Sequence, residues 1–584
     1  MRIALSCLAC VIIATSAAAA RGEGVDRARL AAARTYLDRL AAFGFSGQVL
    51  IAEHGRIVLD ESRGLADAAR GVRVTSRTRF PVASLSKSFT ALAILALESD
   101  GRLALADTLG RFLADVPPDK RSITIEHLLT HTAGLRRDAL RASDSLGRDE
   151  AVRRILQSSL RETPGLHFAY SNSGYELLAA IVERASGESY DRFVRRRVFA
   201  PAGMVESGFV DAPDPSAPLA RGNRDGAPNG LPVDPQPGWK STGSGSAVST
   251  AEDLARWHAA LLAGRIVPAA ARERAMAPRV DTGEGTRYGY GWFVASPGTD
   301  STMIFHGGDT DGFHSELNWF PGEQRLIVIL TNQDVYDIDG GAVAKRMIAR
   351  DLRRILLGRP TGIALPAVAA PGPRAAAALA GHYDMGDGER LELSRAPGGM
   401  RIRASGSRAA EALLPESDTL AATQRSFDRR TRALLLAVSG GDTTAAQSRP
   451  DPAEMGFGGS FLASEIAANR AANGPLTGFA LLGTAPIPWD PGAWRTYGLL
   501  RFERGDLDLY LGRAGGALND VSTGTGFRSA VNLPVAALPT GDLVALDLLR
   551  QRLVPIAIER DAHGAILAIR PGGASGPRAV RVPG

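Results

Sequence analysis

Phe80-Pro-Val-Ala-Ser84-Leu-Ser-Lys87-Ser-Phe-Thr90 opens an apolar-periodic run that continues to Glu98 and stops at Asp100-Gly101. Such periodicity, ended by a glycine, predicts a helix over 84–98. Residues three apart share a helix face, so Lys87 reaches the Ser84 hydroxyl. The helix N-terminus adds unpaired backbone N–H groups and positive potential, which favour an alkoxide or oxyanion at Ser84. A buried lysine beside other donors gives up its proton near neutral pH and then acts as a general base. No other serine in the chain has lysine three residues later. Taken alone, the spacing also fits an N-cap serine with an incidental lysine.

Outward from this helix, residues 25–42 carry helical spacing, and 47–53 and 56–60 flank the His54-Gly55 turn as a β-hairpin. Downstream, helices are predicted at 125–130, 174–185 and 251–263, and strands at 288–294, 316–320 and 326–331. The order predicts an antiparallel sheet covered by helices, an α/β (α+β) class. After Leu357 the chain turns Pro/Ala/Gly-rich, which suits a linker over 358–375. Beyond it, short alternating runs at 390–394, 433–438, 497–502 and 554–569 predict one or two small antiparallel, lipocalin-like barrels over 376–584. A chain of 584 residues exceeds what one core usually serves.

Met1-Arg2, the apolar run 3–20 and Ala17-Ala-Ala-Ala20 before Arg21 predict a secretory signal peptide over 1–20, with retention as an anchor the alternative. The expected location is periplasmic or secreted. Both cysteines, Cys7 and Cys10, fall in that segment. A processed chain then has no disulfide, thiol nucleophile or thiolate metal site. Hydrophobic residues at 45% and charged residues at 22% are ordinary for globular protein and argue against long disorder. The net charge of +6 is small for this length, with no basic block, so nucleic acid is not an expected partner. Lysine occurs only at 87, 120, 240 and 345; the other basic residues are arginine.

Two further groups of residues complete a site. Tyr170-Ser-Asn172 precedes a predicted helix, and a phenol beside an ammonium has its ionised form stabilised, which makes Tyr170 a proton shuttle. Asn172 offers an amide to orient Lys87 and bind a substrate carbonyl. His306-Gly-Gly308-Asp309 lies between apparent strands and reads as an edge strand whose glycines let a ligand approach the backbone. There the backbone N–H of Asp309 and that of Ser84 would form an oxyanion hole. His306 would donate to substrate or tune Tyr170.

With these three elements in order, the sequence resembles the penicillin-binding-protein and class C β-lactamase superfamily of serine hydrolases. Ser84-x-x-Lys87, Tyr170-x-Asn172 and His306-x-Gly308 match its three active-site elements. His127-Leu-Leu-Thr-His-Thr-Ala-Gly-Leu135, Thr250-Ala-Glu-Asp-Leu-Ala-Arg-Trp257 and Tyr288-Gly-Tyr-Gly-Trp292 are similar to it as well. The resemblance covers about residues 25–357. It implies a β-lactamase/transpeptidase-like domain with a helical subdomain and a cleft between the two parts. It further implies that Ser84 is acylated, that Lys87 and Tyr170 share the proton transfers, and that water releases the acyl group. No cofactor is implied, and His127 and His131 lack the third ligand a metal would need.

Many relatives carry lysine where His306 stands, to meet a substrate carboxylate. An ordinary histidine there is mostly neutral. Lys240-Ser-Thr-Gly243 is a near miss that precedes a helix, and Gly243-Ser-Gly-Ser-Ala247 reads as a loop. Histidine at this place, with barrels after the catalytic domain, resembles D-aminopeptidase-like and esterase-like relatives. The expected activity is cleavage of an amide or ester through an acyl-serine. The alternatives are a D-aminopeptidase or D-Ala-D-Ala carboxypeptidase-like peptidase and a catalytically silent binding or sensor protein. A small-molecule or peptide substrate, such as a peptidoglycan fragment, is the expected partner. Trp239, Trp292 and Trp319 are read as packing residues.

Overall fold

The protein is described by a computed structural model that covers residues 26–582 except 141–145, 211–217, 225–226, 231–237, 284, 311, 334–337, 397–398, 414–417, 441–449, 456–458, 487–492, 515, 525–530 and 548–551. The signal segment expected at 1–20 therefore lies outside the described residues.

Helix α1 (Arg27–Ala42) leads into the hairpin β1 (Gly47–Glu53) and β2 (Arg56–Arg63). The helices that matter for the site are α2 (Ser86–Ser99), α3 (Asn172–Ser186) and α4 (Ala251–Leu262). The chain then returns to the sheet as β3 (Val280–Asp281), β4 (Thr286–Tyr288), β5 (Phe293–Ala295), β6 (Met303–Thr310), β7 (Phe313–Phe320) and β8 (Arg325–Thr331), followed by α5 (Ile338–Leu356). The eight strands run in the order β3-β4-β5-β6-β7-β8-β1-β2, and every pairing is antiparallel.

Strand alternation assigns the two faces of this sheet to two cores. Leu50, Leu317, Leu326, Val328 and Leu330 pack with α2, α3 and α4. Their sequence neighbours Val49, Ile51, Ile327 and Ile329 pack with Leu37 and Leu40 of α1 and Leu352 and Leu356 of α5. Helix α2 is buried from Ser86 to Leu97, as a helix apolar on every side must be.

Among the described residues, the C-terminal region contains one closed eight-stranded barrel. Its strands are β9 (Gly381–Gly386), β10 (Glu389–Ala396) and β11 (Gly399–Ser405), then β16 (Asn532–Ala537) to β20 (Ala579–Arg581), with β17 (Leu543–Asp547), β18 (Arg552–Arg560) and β19 (Ile566–Pro571) between. Between β11 and β16 the chain builds helices α6 (Asp418–Ser439) and α7 (Ser460–Asn473) over a separate four-stranded sheet. That sheet is β12 (Leu476–Pro486), β13 (Ala493–Phe502), β14 (Gly505–Ala514) and β15 (Ala517–Gly524). Ala536, Val544 and Leu546 of the barrel join the core that covers α1 and α5, together with Ile363 and Leu365 of the connecting segment.

Two expectations are corrected, and a third is narrowed. Residues 433–438 belong to α6, not to a strand, because Leu434, Leu435 and Val438 recur at helical spacing and cover the inserted sheet, as does Phe427 through Trp494. Residues 288–294 form parts of two short strands, since the Gly289–Trp292 turn drives Trp292 into the core, where it stacks on Trp257 with ring centroids 5.4 Å apart. Strand β6 is interior to the sheet only at Met303–Phe305, where β5 pairs with it, so His306–Asp309 lies at an edge on that side as expected. From His306 onward, β7 is its paired neighbour on one side alone.

Candidate active site

The α-helix begins at Ser86, two residues later than its periodicity predicts, because Ala83–Leu85 form a 3-10 turn. In that tighter winding, side chains three apart eclipse one another, which brings Ser84 over Lys87. Ala83 has φ +43°, a left-handed value that costs an alanine energy. The turn is held from both sides. Val82 N–H donates to Ala247 O at 3.0 Å, while Val82 O accepts from Ser315 Oγ at 2.7 Å. Ser86 Oγ accepts from Ala247 N at 3.1 Å.

Lys87 is completely buried, and its Nζ donates to Ser84 Oγ (3.0 Å), Asn172 Oδ1 (2.8 Å) and Ser244 O (2.9 Å). Burial pushes its pKa down to about 7, opposed by the carboxylate of Glu176 and assisted by the Arg137 guanidinium. Glu176 is buried in turn and pushed up to about 7, although it accepts from Gly243 N (3.0 Å) and Ser244 N (3.2 Å). Two opposite charges removed from water both move towards neutrality. With its pKa lowered to about 7, part of the Lys87 population is a neutral amine at neutral pH, 3.0 Å from the Ser84 hydroxyl.

Asn172 orients Lys87 as expected. Its Nδ2 donates one N–H to Asp138 Oδ1 at 2.8 Å, and the amide carries a second N–H beside it. Ser171 caps α3 by accepting from Gly174 N at 3.1 Å. Tyr170 is half-buried, with Lys87 Nζ 4.9 Å from its ring centroid. The expectation of a stabilised phenolate is corrected. Burial raises the Tyr170 pKa well above the ordinary phenol value, and the hydrogen bond with Ser84 only partly offsets this. Tyr170 is thus a neutral O–H that can receive one proton while passing on another.

His131, expected in a structural loop near the site, templates the Tyr170 loop. Its Nδ1 accepts from Ser171 N at 3.1 Å, its carbonyl accepts from Ala169 N at 2.8 Å, and its ring lies 4.2 Å from that of Tyr170. It does so with φ +58°, another strained position. His127 caps a helix, exchanging bonds with Thr124.

The two glycines of β6 serve opposite faces. A Cβ on Gly308 would lie 2.0 Å from Val82 O and 2.7 Å from Ser84 N, so only glycine lets the strand meet the nucleophile turn. A Cβ on Gly307 would lie 2.5 Å from Glu316 Oε2 and 2.7 Å from Lys345 Nζ on the other face. His306 is buried, with Nδ1 2.7 Å from Gly307 O and Nε2 3.1 Å from Tyr288 Oη. Burial, reinforced by Lys87, lowers its pKa to about 3. Both ring nitrogens are engaged within the protein, so its expected contact with substrate or Tyr170 is corrected to a neutral, inward-facing role.

Sequence reasoning overlooked several groups here. Glu176 has a signal, since it follows Asn172 by one helical turn. Ser244 acts through its carbonyl, which no side-chain pattern reveals, and its loop lies in the site. Asp138 and Ser315 also contribute directly. Among the described residues, no three His, Cys, Asp or Glu side chains group as a metal site.

Comparison with known proteins gives a consistent result. The beta-lactamase family profile matches residues 34–352. A Bacillus subtilis protein named as a penicillin-binding protein, PbpX, is 31% identical over 292 residues, which are 50% of this chain and 71% of that one. A second penicillin-binding protein of the same bacterium is 29% identical over 344 residues, covering 54% of this chain and 73% of its own. Among solved structures, the octameric penicillin-binding protein homologue of Pyrococcus abyssi covers 65% of this chain and 88% of that one. It has 23% identity and a TM-score of 0.50, a likeness of fold.

Proposed function

The chain belongs to the beta-lactamase family, whose penicillin-binding-protein-like members are serine hydrolases, and on that premise we propose that it cleaves an amide or ester through an acyl-Ser84 intermediate. The observation that carries this reading is the 3.0 Å contact between Ser84 Oγ and a buried Lys87 whose pKa is about 7. In the proposed sequence, Ser84 Oγ attacks the substrate carbonyl carbon as its proton passes to the neutral Lys87 amine. The carbonyl π electrons move onto oxygen, and the resulting oxyanion is held by the N–H groups of Ser84 and Asp309. Collapse expels an amine or alkoxide, which takes a proton from the Tyr170 O–H while Lys87 returns one to Tyr170. Water then attacks the acyl carbon along the same route and regenerates Ser84.

A neutral, buried His306 supplies no fixed positive charge for a substrate carboxylate. The reading therefore favours substrates with no carboxylate to be met there, D-aminoacyl amides or short-chain esters, over D-Ala-D-Ala peptides and over efficient β-lactam hydrolysis. Export is part of the proposal, carried by the character of residues 1–20.

A fluorescent phosphonate probe, followed by a panel of D-aminoacyl amides, D-Ala-D-Ala peptides, short esters and a chromogenic cephalosporin, tests the reading. Labelling and turnover should be lost in Ser84→Ala. An unlabelled wild type, or equal labelling of both, would mean a binding protein or another nucleophile. Rapid cephalosporin turnover would refute the substrate preference.

A further inference from the structure

Strand β6 is held from beneath by a cation that the proposed proton transfers leave unused. Lys345, on α5, is buried, and its Nζ lies 2.8 Å from Asp309 Oδ1 and 3.5 Å from Glu316 Oε2. The same ammonium donates to Gly308 O (3.1 Å) and Ser315 O (2.7 Å), which belong to cross-strand partners on β6 and β7. Asp309 Oδ1 is also 2.8 Å from His314 Nδ1. Gly307 makes room for this ammonium by having no side chain. Cohesion alone does not account for such a group, because apolar residues of similar volume commonly hold a core as well as buried ion pairs do.

What Lys345 grips is one peptide unit and the side chain beside it. Gly308 C=O and Asp309 N–H belong to the same planar trans amide, so they point in opposite directions. Fixing the carbonyl on Lys345 fixes the N–H on the far side, and a donor on that carbonyl polarises the amide and strengthens its N–H. The carboxylate anchored to the same ammonium prevents the plane from turning.

We propose that Lys345 is a positioning residue: by holding Gly308 O and the Asp309 carboxylate, it aims the Asp309 N–H at the oxyanion formed on acylation of Ser84. This rests on the acyl-Ser84 reading. It predicts that Lys345 acts on the charged oxygen of the transition state and hardly on substrate binding.

The test compares the full-length wild type with Lys345→Met, using an activated ester and its thionoester, with active sites counted by phosphonate titration. A thiocarbonyl sulfur is a weak hydrogen-bond acceptor, so its reaction gains little from an aimed N–H. The ester kcat per titrated site should fall about 10- to 100-fold, part of what complete loss of an oxyanion donor costs. KM should stay within about threefold, and the thionoester rate should fall far less. Lys345→Met strands a buried carboxylate, so Lys345→Met/Asp309→Asn is made beside it. That variant keeps the backbone N–H and leaves only Glu316, whose pKa burial already raises and which can take up a proton. Wild-type kcat per titrated site in either folded variant overturns the proposal even if the melting temperature drops, and so does an equal loss with both esters. Failure of Ser84-dependent labelling in the wild type would instead overturn the acyl-serine reading itself.

Discussion

The sheet beside the nucleophile and the barrel that follows are both antiparallel, yet they bury different chemistry. The barrel closes over Tyr383, Leu391, Leu393, Ile402, Leu533, Val535 and Ile556, with Asp547 a buried acid on one of its strands. Around Ser84 the buried groups include Lys87, Glu176, His131 and His306, with Lys345 and Glu316 beneath the next strand. Apolar burial adds stability in proportion to area, whereas burial of an ionisable group works against stability and moves its proton affinity instead. The inserted sheet is intermediate, since Arg513 and Glu454 pair in its interior at 3.0 Å. In one region burial provides cohesion; in the other it tunes protons.

This contrast can be broken by exchanging the expected phenotypes. Lys87→Met should lower the rate of acylation about 10²-fold or more, the usual cost of removing an acid-base group. Its effect on stability should be smaller than that of a barrel cavity, because loss of three hydrogen bonds is offset by relief from burying an amine. Stopped-flow acylation and thermal melting of the same samples would check both halves. Ile402→Ala should do the reverse, lowering barrel stability by about 2–5 kcal/mol while kcat per titrated site is unchanged. A matching fall in kcat would show that the barrel shapes the site.

The smallest effect is the most specific. Lys87 must be neutral to accept the Ser84 proton, so kcat/KM should rise with pH through an apparent pKa near 7. Glu176 titrates in the same range, and the apparent value belongs to the pair. The Glu176 carboxylate favours the ammonium, so Glu176→Gln should move the rising limb to lower pH. A limb that stays in place or moves upward would remove Glu176 from the proton network.

The elements that were legible in the sequence are those made by neighbours in the chain. Ser84 and Lys87 lie three residues apart, Tyr170 and Asn172 two, and the hairpin 47–60 flanks a His54-Gly55 turn. Glu176 was open to the same reasoning, one turn beyond Asn172. Lys345 was not, since 36 residues separate it from Asp309 and no motif surrounds it. Its one trace is the scarcity of lysine, for an arginine-rich chain retains the compact ammonium at four places, two of which serve this site. The 433–438 segment misled because a short apolar run fits either period, and only its packing against the inserted sheet selects the helix.

By itself, the sequence determined the chemical repertoire: a serine, a lysine and a phenol at fixed spacings, a glycine pair on a strand, and a sheet covered by helices. Spacing and periodicity are local, and they survive in one dimension. Only the tertiary structure decided which groups are charged, where His306 faces, and what holds the strand that meets Ser84. Those properties depend on exclusion of water by residues distant in the chain. No local pattern encodes that exclusion, because desolvation belongs to the assembled core.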